Sequence, residues 1–152
     1  MGLTQKPYNI LFTSGTFDIL NEGHINLLKK AKSLCNKLIV AVSTDKLIEQ
    51  YKYTKPIQPL KERLNIIKSI KYVDKVVIQK TFMDFNQFLK SKADKFVLGS
   101  DWKKKTDKIP MMFLWCDKLI FLPYTKSTSS TIIKTKIIKE SYNIIAAQLK
   151  RQ

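Results

Sequence analysis

The chain has 152 residues, a length that fits one domain and allows a sizeable core without disulfides or structural metals. Apolar residues make up 44% and charged residues 26%, with 4 glycines and 5 prolines, which excludes collagen-like, low-complexity and disordered classes. The formal charge of +16 points to anionic partners, yet every basic residue except Arg63 and Arg151 is lysine, and dedicated nucleic-acid readers lean on arginine.

Short β-rich apolar runs alternate with longer helical patterns, which predicts an α/β domain with a parallel sheet. Residues 8–13 form the first strand and Ser14-Gly15-Thr16 the turn after it. From Gly23 to Cys35, Ile25, Leu27, Leu28, Ala31 and Leu34 recur at helical spacing. A continuous apolar run at 37–42 reads as a second, buried strand. A polar connection follows, with a short helix at 45–51, and Pro59 opens a helix through Ile70. Residues 73–78 are the third strand and 82–91 the next helix. The fourth strand, 95–99, runs into Gly99-Ser100-Asp101-Trp102, and residues 103–107 read as a charged loop. Residues 118–123 give the fifth strand, and a last helix, packed on the core, starts at about Ser129 and runs to about 149.

No break in composition and no repeat marks a second domain, so one domain over 1–152 is expected, with its core at about 8–134. Right-handed crossovers make this a doubly wound, Rossmann-like, five-stranded parallel sheet. Ligands of such sheets bind beyond the carboxyl ends of the strands, near the switch in strand order. The search for chemistry therefore narrows to residues just after the strands.

Cys35 and Cys116 cannot build a disulfide framework, and one histidine, His24, cannot build a multi-histidine metal centre. No signal peptide or membrane-length apolar run is seen, so a soluble, cytoplasmic protein is expected. Cys35 is too far along the same helix to pair with His24 as a nucleophile. Phe113, Trp115 and Phe121 read as core rather than as a stacking platform.

Two segments suit polyanions. Gly15 permits a tight turn, and Gly23 and His24 stand where the first helix begins, with backbone N–H groups and the helix dipole favouring negative charge. A histidine there can donate to a phosphate oxygen as charge develops. Ser129, Ser130 and Thr131 start the last helix with hydroxyl caps and form a second anion site. Lys55 and Arg63 supply positive charge, and Arg63 is the more telling of the two in so lysine-rich a chain.

Gly15-Thr16-Phe17-Asp18 followed by Asn21-Glu22-Gly23-His24 resembles the signature of the cytidylyltransferase-like nucleotidyltransferases, a G-T-F-D turn and then H-x-G-H. Within that family the pattern is most similar to the glycerol-3-phosphate cytidylyltransferase group. Residues 55–63, with Lys55, Pro56, Pro59 and Arg63, are similar to its K-P-x-x-P-x-x-x-R stretch. Tyr72-Val73-Asp74 is similar to its Y-V-D strand entry, Gly99-Ser100-Asp101-Trp102 to its G-D-D-W loop, and residues 124–131 to its R-T-x-G-I-S-T-T loop. Departures from it bear on the site: Asn21 stands for the first histidine, Ser100 for an aspartate, Tyr124 for an arginine and Ser127 for the glycine of the last loop.

The resemblance implies direct transfer of CMP from CTP to a phosphorylated alcohol such as glycerol-3-phosphate, giving a CDP-alcohol and pyrophosphate. His24 would stabilise the transition state, with Asn21 a weaker partner and Lys55 a third catalytic group. Thr16, Phe17, Asp101, Tyr124, Thr128, Ser129, Ser130 and Thr131 would bind the nucleotide together with Asn21 and His24. Lys55 and Arg63 would meet the acceptor, and Mg²⁺ would arrive chiefly on the nucleotide phosphates. A homodimer is expected, and nucleic acid is not an expected partner. Peripheral membrane contact through residues 132–149 stays open as a lesser reading. So do an adenylyltransferase on the same fold and a catalytically degenerate nucleotide-binding relative.

Overall fold

The computed structural model describes residues 5–151, leaving aside the side chains at 106 and 107. Strand β1 (Tyr8–Gly15) passes through a turn into helix α1 (Glu22–Leu34), and β2 (Cys35–Ser43) follows directly. Helices α2 (Asp45–Lys52) and α3 (Leu60–Lys68) lead to β3 (Lys75–Gln79), α4 (Phe85–Lys90) and β4 (Lys95–Gly99). A 3-10 helix (Ser100–Lys108), α5 (Pro110–Leu114), a 3-10 turn (Cys116–Lys118), β5 (Leu119–Leu122) and α6 (Ser130–Leu149) complete the order.

All five strands are parallel, in the order β3-β2-β1-β4-β5. The chain winds outward from β1 to β3, then returns to place β4 on the other side of β1. That reversal puts the topological switch point between the carboxyl ends of β1 and β4, at Gly15 and Gly99.

Period-two alternation splits the core into two layers. Leu11, Leu38, Val40, Val42 and Val97 face one side with Leu28 and Ala31 of α1 and Ile67 of α3. Phe12, Ile39, Ala41, Phe96 and Leu98 face the other with Phe85 and Phe88 of α4 and Met112 of α5. Both sheet faces are thus covered, which is why the strands read as continuous apolar runs. Two carboxylates pin the sheet at its lower edge. Asp74 accepts the Leu38 N–H at 2.6 Å and pairs with Lys32, and Asp94 accepts the N–H groups of Asn9 and Ile10, each at 2.8 Å.

Four readings change. The second strand begins at Cys35, so α1 stops at Leu34 and no loop intervenes. The charged segment around 103–107 belongs to a 3-10 helix, and α5 follows it with Pro110 at its first turn, a position where a missing N–H costs nothing. Trp115 joins the second core layer by stacking on Phe85 with ring centroids 5.0 Å apart, whereas Phe113 is exposed. The last helix is not packed on the core: no residue of α6 is buried. Its isoleucines mimic a core pattern, but it meets the domain mainly through its first two turns.

Candidate active site

Residues 16–21 leave the end of β1 in an unusual backbone path. Phe17 and Ile19 both take left-handed conformations, with φ of 51° and 50°. For a β-branched residue such as Ile19 that costs free energy and needs compensation from its surroundings. The compensation is visible. The Asp18 carboxylate is 3% exposed and accepts the N–H groups of Ile57 (3.0 Å) and Gln58 (2.9 Å) and the Lys134 ammonium (2.7 Å). Ile19 N–H donates to Gln58 Oε1 at 2.8 Å. Desolvation pushes the Asp18 carboxyl up, but the hydrogen bonds from Lys134, Gln58 and Ile57 and the charge of Lys134 outweigh it and hold its pKa below the ordinary value.

Arg63 locks this turn from behind. Its side chain is 0% exposed, and it donates to the carbonyls of Thr16 (2.6 Å), Ser43 (2.9 Å) and Gln58 (2.9 Å) while pairing with Asp45. One guanidinium so joins the ends of β1 and β2 to the 54–60 strap. Arg63 does not line the cleft, and its expected contact with the acceptor is replaced by a positioning role. Asp45, committed to Arg63, is likewise outside the cleft.

Asn21 caps α1: its Oδ1 accepts the Gly23 N–H at 3.0 Å, and the His24 ring closes a capping box by accepting the Asn21 N–H on Nδ1 at 3.3 Å. The N–H of Gly23 is therefore already bonded to the cap and is not among the donors that the helix start offers an anion. A Cβ at Gly23 would lie 3.0 Å from Asn21 Oδ1 and 3.4 Å from the Thr128 carbonyl, so glycine lets the 124–131 loop approach α1 closely. With Nδ1 accepting, the neutral ring of His24 carries its proton on Nε2. Burial, and next the charge of Lys52, lower the His24 pKa to about 4 against the opposing pull of Asp18. The imidazole is neutral at pH 7, so the ring offers an Nε2–H donor rather than a positive charge.

A cleft of about 850 Å³ opens over the switch point. Thr16, Phe17, Asn21 and His24 line it from the β1 side, Asp101 from the end of β4, Tyr124 and Thr128 from the loop after β5, and Ser129, Ser130 and Thr131 from the start of α6. Lys55 lines it from the strap. The fold thus gathers every expected site residue except Arg63. Ser129 caps α6 by accepting the Ile132 N–H at 3.1 Å, and Ser130 donates to the Asp18 carbonyl, which seats the second helix terminus against the first.

Sequence reasoning missed Tyr51, Lys52, Lys105 and Lys134, all of which line the cleft. Tyr51 meets Thr16 through their hydroxyls at 2.7 Å and packs on Phe82 at 5.3 Å. Phe82 in turn packs on Trp102 at 6.0 Å, and the Lys105 ammonium stands 4.4 Å over the Trp102 ring. Lys52 is exposed, yet its ammonium is crowded: partial desolvation, then the charge of Lys134, lower its pKa, with Arg63 and Lys105 adding to this and Asp18 opposing. No spacing distinguishes these lysines among so many others. The helix period gives one hint, since Lys134 stands four residues after Ser130.

Among the described residues, no group of three or more His, Cys, Asp or Glu side chains is placed to hold a metal ion. Asp18 is occupied by its three donors, which leaves Asp101 as the other cleft carboxylate. That donor set suits Mg²⁺ only as an ion carried in on phosphates, which keeps most of its own waters. No helix among the described residues is long and apolar enough to cross a membrane.

Comparison with known proteins agrees with this arrangement. The cytidylyltransferase-like family model matches residues 12–136. The glycerol-3-phosphate cytidylyltransferase of Bacillus subtilis (strain 168) is 38% identical over 128 residues, covering 84% of this chain and 95% of that protein. The FAD synthase of Thermococcus sibiricus is 39% identical over 100 residues, covering 65% of this chain and 68% of its own length. Among solved structures, the lipopolysaccharide core biosynthesis protein from Thermoplasma volcanium GSS1 superposes with a TM-score of 0.63 at 26% identity, over 78% of this chain and 98% of that one. On this cleft and these matches, the chain belongs to the cytidylyltransferase-like family and is a nucleotidyltransferase.

Proposed function

We propose that this enzyme transfers CMP from CTP to a small phosphorylated alcohol, glycerol-3-phosphate or a close analogue, forming a CDP-alcohol and pyrophosphate. The observation that carries the reading is the convergence of a neutral His24, two helix N-termini and the ammonium groups of Lys52, Lys55, Lys105 and Lys134 on one cleft at the switch point. A relative of that activity matching over 95% of its own length supports it.

A phosphate oxygen of the acceptor attacks the α-phosphorus of CTP. The new P–O bond forms as the bond to the bridging oxygen breaks, and that electron pair leaves with pyrophosphate. No protein nucleophile is needed, so catalysis rests on positioning and electrostatics. His24 Nε2–H donates to a non-bridging α-phosphate oxygen as charge builds there. Asn21 serves this step as a positioning residue, because its amide already contacts Gly23, Ile19 and Ser130. Ser129, Thr131 and the first turn of α6 receive the triphosphate, and Lys55 and Lys52 flank the acceptor phosphate. Mg²⁺ held by those phosphates and Asp101 would neutralise triphosphate charge. A homodimer in the cytoplasm is the setting we infer.

A second reading, adenylyl transfer from ATP, is favoured by the FAD synthase match at similar identity. A degenerate nucleotide-binding relative is the third. The experiment is pyrophosphate release with Mg²⁺, using CTP and ATP separately against glycerol-3-phosphate, phosphocholine, phosphoethanolamine, sugar phosphates and FMN. CTP turnover that needs an alcohol phosphate and disappears in His24→Ala supports the proposal. Turnover with ATP alone moves the chain to the second reading, and nucleotide binding without turnover to the third.

A further inference from the structure

Three aromatic side chains follow one another along the cleft. Tyr51 of α2 packs on Phe82 with ring centroids 5.3 Å apart, and Phe82, shortly after β3, packs on Trp102 at 6.0 Å. Tyr51 and Phe82 belong to neither core layer, so packing of the core does not account for the row. One end is tied to the turn after β1 by the 2.7 Å contact between the Tyr51 and Thr16 hydroxyls. At the other end the exposed Lys105 side chain brings its ammonium 4.4 Å from the centroid of the Trp102 ring.

The row shares the cleft with Lys52, the neighbour of Tyr51 on α2, and with Lys55, the two cations that flank the acceptor phosphate in the reading above. An aromatic face is a good seat for an ammonium group, and such a row would suit an acceptor with a cationic head. Here that seat is filled from within the chain. Nor is a carboxylate left to balance a second cation. Asp18 is taken by Lys134 and two backbone N–H groups, and Asp45, outside the cleft, by Arg63. Asp101 is turned toward Gly99 and Tyr124: a Cβ at Gly99 would lie 2.5 Å from Asp101 Oδ1 and 3.8 Å from Tyr124 Cδ2. The crowding of cations reaches Lys52. Burial comes first and Lys134 next in lowering its pKa, followed by Arg63 and Lys105, with Asp18 opposing.

We propose that Lys105, seated on Trp102, is an acceptor-selecting residue. It turns away phosphomonoesters that carry an ammonium group in their body, and it leaves the row to the uncharged C–H face of a polyol or ring. The repulsive element supplies the discrimination, and apolar packing on the rings supplies affinity. Phosphocholine and phosphoethanolamine are the excluded class, whereas glycerol-3-phosphate, sugar phosphates and FMN are admitted. The inference rests on the alcohol-phosphate acceptor proposed above.

The test compares kcat/KM for glycerol-3-phosphate and for phosphocholine in wild type, Lys105→Met and Lys104→Met. Methionine keeps the length of the stem and removes the charge. Lys104 is exposed and does not line the cleft, so its variant reports the general loss of one surface charge. Lys105→Met should raise the ratio of phosphocholine to glycerol-3-phosphate about tenfold, and Lys104→Met should leave it unchanged. A Lys105 that only binds phosphate would lower both acceptors together, and an unmoved ratio overturns the proposal. Calorimetric titration of the two acceptors, with α,β-methylene CTP or α,β-methylene ATP bound, reads the same preference without turnover. Suppose neither nucleotide is turned over, yet wild type binds glycerol-3-phosphate better than phosphocholine and Lys105→Met narrows that gap about tenfold. The selection by Lys105 then stands while the CMP-transfer reading falls. A wild type that binds the two acceptors alike, or binds neither, overturns the proposal.

Discussion

Lys134 Nζ lies 2.7 Å from the carboxylate of Asp18, tying the last helix of the chain to the turn after its first strand. The two residues are 116 positions apart, and the pair closes a ring. The same carboxylate holds the 54–60 strap through Ile57 and Gln58, so two walls of the cleft hang on one buried group.

Lys134→Ala should destabilise the protein by about 1.5–3 kcal/mol, the range for losing a hydrogen bond to a charged group, and should raise the KM for nucleotide more than it lowers kcat. Urea unfolding and steady-state kinetics measure the two effects. The pH dependence follows from the lowered pKa of Asp18. Its contribution is fully present above the unfolded carboxyl's ordinary range and is lost as pH falls through the folded value, below 3.8. The stability gap between wild type and Asp18→Asn should therefore be widest above about pH 5 and shrink steadily below pH 4.

His24 is the single histidine, so its imidazole resonances can be followed without assignment. They should titrate with a midpoint near 4. A midpoint near 6.5 would remove the argument that the ring is a neutral donor at pH 7. The sign of the linkage is fixed by a folded pKa below the unfolded one. Between about 6.5 and 4 the unfolded chain binds the extra proton, so wild-type stability should decrease as the pH is lowered through that window, and His24→Gln should abolish that part of the loss. For catalysis, losing one preorganised donor should cost about 10²–10³ in kcat.

Arg63 offers a clear separation of structural from substrate-binding roles. Its guanidinium serves four partners on three segments, a geometry that lysine cannot reproduce. Arg63→Lys should lower stability by about 1–3 kcal/mol, because one ammonium leaves some of the buried acceptors that the guanidinium serves without a donor. Chemical denaturation checks this. A variant of native stability with a selective loss of acceptor affinity would return Arg63 to the substrate.

Asn21→Ala should cost about 1 kcal/mol through the lost cap on α1. Because the same amide reaches Ser130 on α6, the nucleotide KM should rise with it. Asn21→Asp retains an accepting cap oxygen and should recover most of the stability while placing a negative charge in the cleft, so activity should stay low. Thermal melts and initial rates on the three proteins separate capping from chemistry.

Much of this protein is written locally. The strands announce themselves because β1, β2 and β4 bury apolar side chains on both faces and the edge strands do so in part, and the turn, the His24 cap and the Ser129 cap occur at fixed offsets from strand ends. Binding chemistry confined to strand termini is a consequence of parallel topology, which points to His24 and to Ser129, Ser130 and Thr131, whereas Thr16 and Asp101 are named only through the family resemblance. What the sequence could not assign was the orientation of long side chains. Arg63 and Lys55 read alike as cations near an anion site, yet one turns inward to backbone carbonyls and the other faces the cleft. Lys52, Lys105 and Lys134 were invisible among their many counterparts, since only packing decides which ammonium groups share a cavity. The isoleucines of α6 mislead for the same reason: periodicity shows that a helix has an apolar face, and only the tertiary structure shows that no described residue buries it.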